Sequence, residues 1–233
     1  MEKLIHIPRN QTALMQHMQR QVSHGHFFWC ADQIPPGKLA GFILKWKHYG
    51  LRADAPARSY RKQCRRASVH LCVSPECRSA NTETQPIGWW MLSTQGKDGL
   101  AEGNATPATV IDCRTSHGHL RYLDYELVQL MKEIKSGSKV KRAVTWTWRL
   151  VPERYREWEA LLVERAKQRD ISGLKQAIDC LRVMPMFSGI RAQVSKLIAE
   201  GNKMLGKMGY PPVFLTELPV MRMITLWDDQ AGL

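Results

Sequence analysis

The chain has 233 residues, 44% of them hydrophobic and 24% charged. These proportions are typical of a folded globular protein and exclude a chain that is disordered throughout. Its 34 lysines and arginines outnumber its 21 aspartates and glutamates, which gives a formal net charge of +13 at pH 7. The length allows one large domain, or a domain with a smaller partner, and either can bury a hydrophobic core.

Two helices and a strand are predicted in the first fifty residues. Apolar side chains recur at helical spacing over 11–22 and again from Leu39 to Trp46, so each segment is predicted to be an amphipathic helix. Gly50 lies just after the second segment, where a C-terminal stop is expected. The aromatic run 26–30 predicts a strand between the two helices.

The segment 38–78 is the most basic part of the chain. It holds ten lysines and arginines and two acids, so about +8 of the net charge of +13 lies there. An anionic partner would relieve the self-repulsion, and nucleic acid is the partner that this charge favours.

The densest basic run, 58–66, is predicted to contact nucleic acid. At helical spacing, four of its cations share one face, which suits a phosphate backbone: Arg58, Arg61, Lys62 and Arg65. A solvated surface helix is the alternative, although such helices usually mix in acids, as 153–169 does. Arg52 and Arg66 flank this face and are predicted to contribute to binding.

The middle of the chain is predicted to form an antiparallel sheet. Five segments have the composition or alternation of strands: 69–73, 87–94, 109–112, 120–129 and 143–151. Three polar segments are predicted to be loops between them: 79–85, 95–107 and 135–142.

After Pro152 the sequence becomes helical. Apolar stripes predict helices beginning at Pro152, around 174–181 and over 187–198, while 213–215 and 221–227 could return to the sheet. The predicted fold class is therefore α+β, with an antiparallel sheet and a helical C-terminal part. The predicted domains are 1–151, which contains the basic helical segment 38–66, and 152–233, which packs on the sheet.

The six cysteines are scattered and form no CxxC pair. The group Cys64, His70, Cys72 and Cys77 leaves metal binding open, because two residues two apart on a strand share a face. Reduced structural cysteines are favoured, and no metal and no cofactor are predicted. The N-terminus lacks the apolar core of a signal peptide, so a soluble, cytoplasmic protein is predicted.

Carboxylates are few and unclustered, so a two-metal nuclease site is not supported. Metal-free RNA cleavage needs a base for the 2′-hydroxyl and cations for the charged transition state. The candidates for this chemistry are His24 and His26, and a second His-Gly-His occurs at 117–119. Ordinary loop histidines are the alternative, so catalysis stays open.

A second nucleic-acid hypothesis concerns the C-terminal helices. The segment 174–198 resembles two helices with a short connection, in the manner of a DNA-binding helix-turn-helix. An ordinary helical hairpin is favoured over it, because the connection contains Pro rather than the usual Gly-type turn. Further cations are predicted to bind nucleic acid: Lys139, Lys141, Arg142, Arg149, Arg191 and Lys196.

Five motifs together resemble basic accessory proteins carried on bacterial plasmids and integrative elements. They are HGHFFW at 24–29, GWWML at 88–92, DYELV at 124–128, TWTWR at 145–149 and FSGIR at 187–191. Among these proteins, the chain is similar to the guide-RNA-processing endonuclease of type IV CRISPR systems. The resemblance implies a ferredoxin-like or related sheet, metal-independent chemistry, and 38–66 as an arginine-bearing helical projection. Where such enzymes often have a Gly-rich loop near the C-terminus, this chain has only Gly201, Gly206 and Gly209.

The leading functional prediction is an RNA-binding protein of a mobile element or CRISPR system. It would hold a hairpin or guide RNA, with metal-independent endoribonuclease activity as an open question. RNA is favoured over DNA as the partner, with other subunits of a nucleoprotein complex as further partners. The alternatives are a non-enzymatic plasmid DNA-binding protein, acting in replication, transfer or regulation, and a structural subunit of a nucleoprotein complex.

Overall fold

The computed structural model describes residues 6–51, 55–78, 85–102, 105–136, 139–212 and 218–232. The helices are α1 (Gln11–Ser23), α2 (Leu39–Lys45), α3 (Ala55–Gln63), α4 (Pro152–Lys167), α5 (Ile171–Arg182) and α6 (Ser188–Lys207). The strands are β1 (His6–Pro8), β2 (Phe28–Ile34), β3 (Val69–Val73), β4 (Ile87–Ser93), β5 (Ile111–Asp112), β6 (Leu120–Tyr122), β7 (Tyr125–Ser136), β8 (Lys139–Leu150) and β9 (Trp227–Gly232). The predicted α+β class with antiparallel pairing and a helical C-terminal part is confirmed.

By their contacts the residues form two compact units. The first unit comprises Met1–Leu120 with Met223–Leu233, and the second comprises Arg121–Arg222. Within the described ranges, no helix combines the length and the apolar character that crossing a bilayer requires.

The first unit is built on a four-stranded antiparallel sheet in the order β3-β4-β2-β5. One face buries Trp89 and Met91 of β4. These pack with Ile43 of α2 and with Trp46, the residue that follows this helix. Side chains alternate along β3, so His70 lies on the opposite face, where its ring meets that of His17 on α1. The two faces of the sheet are therefore covered by different helices.

Helix α1 begins where the predicted helix does, because Asn10 caps it. The Asn10 Oδ1 accepts a hydrogen bond from the Ala13 N–H at 2.9 Å, which satisfies one of the free amide groups of the first turn. The helix ends at Ser23, and His24 forms its C-terminal cap. The first His-Gly-His motif therefore lies between the end of this helix and the start of β2.

The C-terminal tail returns to the first unit but does not join the four-stranded sheet. Strand β9 pairs antiparallel with β1 in a separate two-stranded sheet. Just before it, the Arg9 N–H donates to the Leu226 carbonyl at 2.9 Å, and the Ile224 N–H donates to Gln16 Oε1 at 3.1 Å. The tail segment predicted at 213–215 lies outside the described residues.

The second unit contains a three-stranded sheet in the order β6-β7-β8, so the strands do not form the single sheet that was expected. The predicted strand 120–129 is interrupted at Leu123, whose φ of 50° lies in the left-handed region. The predicted loop 135–142 is wrong, because β7 continues to Ser136 and β8 begins at Lys139. Pairing along the whole hairpin outweighs the low strand propensity of the lysines there.

Helix α6 packs closely against β8. A Cβ on Gly189 would lie 2.5 Å from the Trp148 carbonyl oxygen, so only glycine allows this approach. The buried Thr147 hydroxyl accepts hydrogen bonds from the Gly189 N–H at 3.1 Å and from the Ser188 hydroxyl at 2.9 Å. The FSGIR motif of the sequence is therefore accounted for by packing within the second unit.

Candidate nucleic-acid interface

A cavity of about 760 Å³ in the first unit brings together two groups of residues that the sequence analysis singled out separately. It is lined by cations of the basic run and by both histidines of the first His-Gly-His motif: Arg58, Lys62, Arg65, Arg66, His24 and His26. Residues more than thirty positions apart in the chain thus face one space. We call this the basic cavity.

Helix α3 and the turn after it supply the cations. Arg58 and Lys62 are four residues apart on the helix and therefore share a face. The helix ends at Gln63, and Arg65 then adopts a left-handed backbone with φ of 55°. This reversal lets the Arg66 N–H donate to the Arg61 carbonyl at 2.8 Å and keeps Arg65 and Arg66 at the cavity.

Arg61 was predicted to share this face, but it does not line the basic cavity. Its Nε donates to the Ala67 carbonyl at 3.0 Å, and its side chain is half-buried. The chain curls back after α3 and places that carbonyl within reach of the guanidinium group. Arg61 therefore holds the turn that presents Arg65 and Arg66.

Another wall of the cavity is a loop that backbone hydrogen bonds hold against the turn after α3. The Ala67 N–H donates to the Lys97 carbonyl at 2.8 Å. Gly96 has φ of 139°, and a Cβ there would lie 3.0 Å from both the Ala67 nitrogen and the Arg65 carbonyl oxygen. The same wall carries Glu102, an acid among the cavity's cations.

His26 and His70 form the floor of the cavity. Their rings are 4.8 Å apart at 75°. The His26 Nδ1 lies 3.0 Å from the Gln21 carbonyl oxygen, which can only accept, so Nδ1 carries the proton and Nε2 keeps a lone pair. That Nε2 is buried and has no hydrogen-bond partner among the described residues.

Both floor histidines are neutral at pH 7. Burial is the main cause that lowers the pKa of His26 to about 4, with His24 and Arg58 adding to it against the opposing Gln21 hydrogen bond. Burial likewise lowers the pKa of His70 to about 3, and electrostatic repulsion between the protonated ring and the basic groups His26, His17, Arg58 and Arg20 lowers it further. The cavity therefore combines a cationic rim with an uncharged polar floor.

The sequence pattern indicates His70 only as a possible metal ligand. In the structure, Cys72 is buried, which raises its pKa to about 12, whereas Cys64 is exposed and Cys77 is half-buried. No three His, Cys, Asp or Glu side chains of the described residues are grouped to hold a metal ion. The alternation of β3 could have shown that His70 faces away from the Val69 and Val73 core.

We expect the protein to lose stability as the pH falls from about 6.5 towards 4. The pKa values of His26 and His70 are lowered in the folded state, so the unfolded chain binds more protons in this range. Each histidine then lowers the free energy of unfolding by up to about 1.4 kcal/mol for each unit by which the pH falls. The stabilisation that comes from keeping both rings neutral is fully present above pH 6.5.

Urea unfolding followed by tryptophan fluorescence between pH 7.5 and 4.5 measures this dependence. His70→Gln should flatten it, while the exposed His117→Gln should leave it unchanged. A free energy of unfolding that is constant across this range, or equal slopes for His70→Gln and the wild type, would contradict the assignment.

Among the described residues, the other predicted cations, Arg149, Arg191 and Lys196, do not line the basic cavity. Arg52 lies outside the described residues, and so do the side chains of Lys139, Lys141 and Arg142 on β8. In the second unit, Arg149 forms an ion pair of 2.7 Å with the buried Glu126. On α6, Arg191 is half-buried and Lys196 is exposed.

In the helices of the proposed helix-turn-helix, a side chain that could contact DNA bases is instead bonded within the protein. Gln193 on α6 is held by both backbone groups of Leu150. Its Oε1 accepts from the Leu150 N–H at 2.7 Å, and its Nε2 donates to the Leu150 carbonyl at 3.2 Å. The side chain therefore anchors α6 to the end of β8.

The chain was compared with protein-family models, with curated proteins and with solved structures, and none of them matches it.

Proposed function

We propose that this protein binds RNA and that the basic cavity receives its backbone. The observation that carries the proposal is the convergence of Arg58, Lys62, Arg65 and Arg66 on one cavity of about 760 Å³. Arginine and lysine are the side chains that most often contact phosphate, and a cavity of this volume accommodates a nucleotide.

The hydroxyl and imidazole groups of the cavity support RNA over DNA. Hydroxyl and imidazole groups line it between the cations, and these groups suit the 2′-hydroxyl that distinguishes RNA. They are Ser59, Ser68, Thr94, His24, His26 and His70. A hairpin or guide RNA of a mobile element or CRISPR system remains our proposed substrate on the strength of the motif resemblance alone.

We place this function in the cytoplasm. All six cysteines are free thiols, which is usual for proteins of a reducing compartment. A nucleoprotein assembly with other subunits is part of the same proposal.

Metal-independent cleavage of the bound RNA is a second candidate function, favoured by His24 and His26, two of the three histidines on the cavity. The exposed His24 would accept the proton of a 2′-hydroxyl, and the resulting oxygen would attack the adjacent phosphorus. The bond between phosphorus and the 5′-oxygen breaks, and that oxygen takes a proton from water. The products are a 2′,3′-cyclic phosphate and a 5′-hydroxyl, and the rim cations would stabilise the charge of the transition state.

The DNA-binding alternative keeps less support, because Gln193 is engaged within the second unit. Experiment can distinguish this alternative from RNA binding. The same holds for the other alternative, a structural subunit that binds nucleic acid only within an assembly.

Titrating the protein with a hairpin RNA and with the same hairpin in DNA, across a salt series and in chelator, tests the proposed function. We expect RNA to bind more tightly than DNA. The logarithm of the association constant should fall linearly with the logarithm of the salt concentration. Equal or tighter binding of DNA would favour the alternative. No binding of either hairpin at low salt would contradict the proposal.

A further inference from the structure

A second cavity of about 710 Å³ adjoins the basic cavity, and the two share Arg66 and Glu102. Its other lining residues include Lys97, Asp98 and two aromatic rings, His48 and Tyr49. Where the basic cavity has one acid among several cations, this one has two carboxylates, two cations and an aromatic wall. We call it the acidic cavity, after its two carboxylates.

The walls of the acidic cavity are held by specific contacts. The Tyr49 hydroxyl donates to the Ala105 carbonyl at 2.6 Å, and the Tyr49 side chain is otherwise buried. The Arg66 Nε lies 3.1 Å from Asp98 Oδ2, so this ion pair forms the partition between the two cavities. The cavity is therefore built from positioned side chains before any ligand binds.

The aromatic wall has an exposed ring. His48 is exposed, and its ring centre lies 4.3 Å from that of the buried Tyr49. Tyr49 in turn stacks on Trp46 at 6.0 Å. A ring that is supported from behind and open in front is suited to stacking on a nucleobase.

The carboxylates select among the bases. A carboxylate oxygen can only accept hydrogen bonds, so it pairs best with an edge that offers adjacent donors. The Watson–Crick edge of guanine presents N1–H and N2–H side by side. Adenine and cytosine place an acceptor beside their amino group, and uracil places its single N–H between two acceptors.

We propose that the acidic cavity binds an unpaired guanine of the RNA, with His48 stacking on the base and Glu102 accepting from N1–H and N2–H. Asp98 remains paired with Arg66 and positions the partition. This inference rests on the proposed function, because a phosphate of the same strand occupies the basic cavity.

Competition with short uridine oligoribonucleotides that carry G, A, C or U at one central position tests this inference. We expect the G-containing oligomer to bind about tenfold more tightly than the all-U oligomer, as one bidentate contact provides. Glu102→Gln should reduce this ratio below about threefold, because an amide offers a donor where a second acceptor is needed. Its effect on the all-U oligomer should be neutral or favourable, since a negative charge is removed.

Two further variants separate stacking on His48 from base selection by Glu102. His48→Ala should weaken all oligomers about tenfold without changing their ranking, because stacking is tolerant of base identity. Glu76→Gln, an exposed carboxylate of the same unit outside both cavities, should leave the ratio unchanged.

Uniform binding of all four oligomers, or a guanine preference that survives Glu102→Gln, would overturn the guanine site and leave the proposed function intact. If none of the oligomers binds, the guanine site is overturned, and the hairpin titration decides the proposed function separately.

Discussion

Replacing Arg58 and Lys62 together by glutamine is expected to weaken binding of hairpin RNA at least tenfold near physiological salt. Both side chains lie on the same face of α3 and line the basic cavity. If each contacts one phosphate, the slope of log affinity against log salt concentration should decrease by about 1.4, or about 0.7 for each lost contact with a single strand. Fluorescence anisotropy at four or five salt concentrations measures both quantities.

The matched control removes the same charge from the second unit. Lys167→Gln with Lys175→Gln changes two exposed lysines of α4 and α5 and should leave the salt slope nearly unchanged. An equal loss of slope in the two double variants would mean that overall charge, rather than the basic cavity, attracts the RNA.

Arg61→Gln separates binding from structure within the same basic run. Because Arg61 donates to the Ala67 carbonyl, its loss should lower stability by about 1 kcal/mol and change the slope less than the Arg58 and Lys62 pair does. A slope change as large as that of the pair would instead place Arg61 on the RNA.

If the protein cleaves RNA, His24→Gln is expected to slow the reaction by at least about a hundredfold while RNA affinity changes less than threefold. General base catalysis typically contributes factors of about 10² to 10⁴. His24 is exposed on the cavity, so glutamine there removes the base without disturbing packed structure. Cleavage is followed on end-labelled hairpin RNA in chelator, and the products are tested for a 2′,3′-cyclic phosphate.

His117→Gln is the matched control, since it changes the first histidine of the other His-Gly-His motif. It is exposed and does not line the basic cavity. Intact RNA with the wild-type protein would remove the cleavage candidate and leave RNA binding as the function. A cleavage rate unaffected by His24→Gln would remove His24 as the base.

The local sequence pattern was sufficient to predict several of the elements and residues that form the site. Strand β3 has the predicted limits, the Asn10-capped helix α1 covers the predicted 11–22, and the basic run 58–66 begins on a helix. Each of these follows from side-chain periodicity within one segment. The two residue types that meet in the basic cavity were both identified, but as separate candidates.

Their convergence depends on contacts between distant segments, which periodicity within one segment does not contain. His24 and His26 reach the cations because α1 packs on the face of the sheet that carries His70. The displacement of Arg61 depends on a single left-handed residue, Arg65. A non-glycine residue in that conformation is uncommon, and no composition signal marks it.

The long β7–β8 hairpin was missed for a related reason. Its outer part contains lysines, serine and glutamate, whose individual propensities indicate a loop. The two strands pair along their whole length, from Tyr125 opposite Leu150 to Ser136 opposite Lys139. These polar residues are therefore part of the strands. Stability of this kind comes from the partner strand and is visible only once the pairing is known.

Photo-cross-linking with a 4-thiouridine-containing hairpin RNA tests whether RNA lies against the basic cavity. Mass spectrometry of the cross-linked peptides should place the attachment sites in the segments around His24, in α3 and the turn after it, and in the loop 94–102. Cross-links found only on α5 and α6, the helices of the DNA-binding alternative, would contradict the claim.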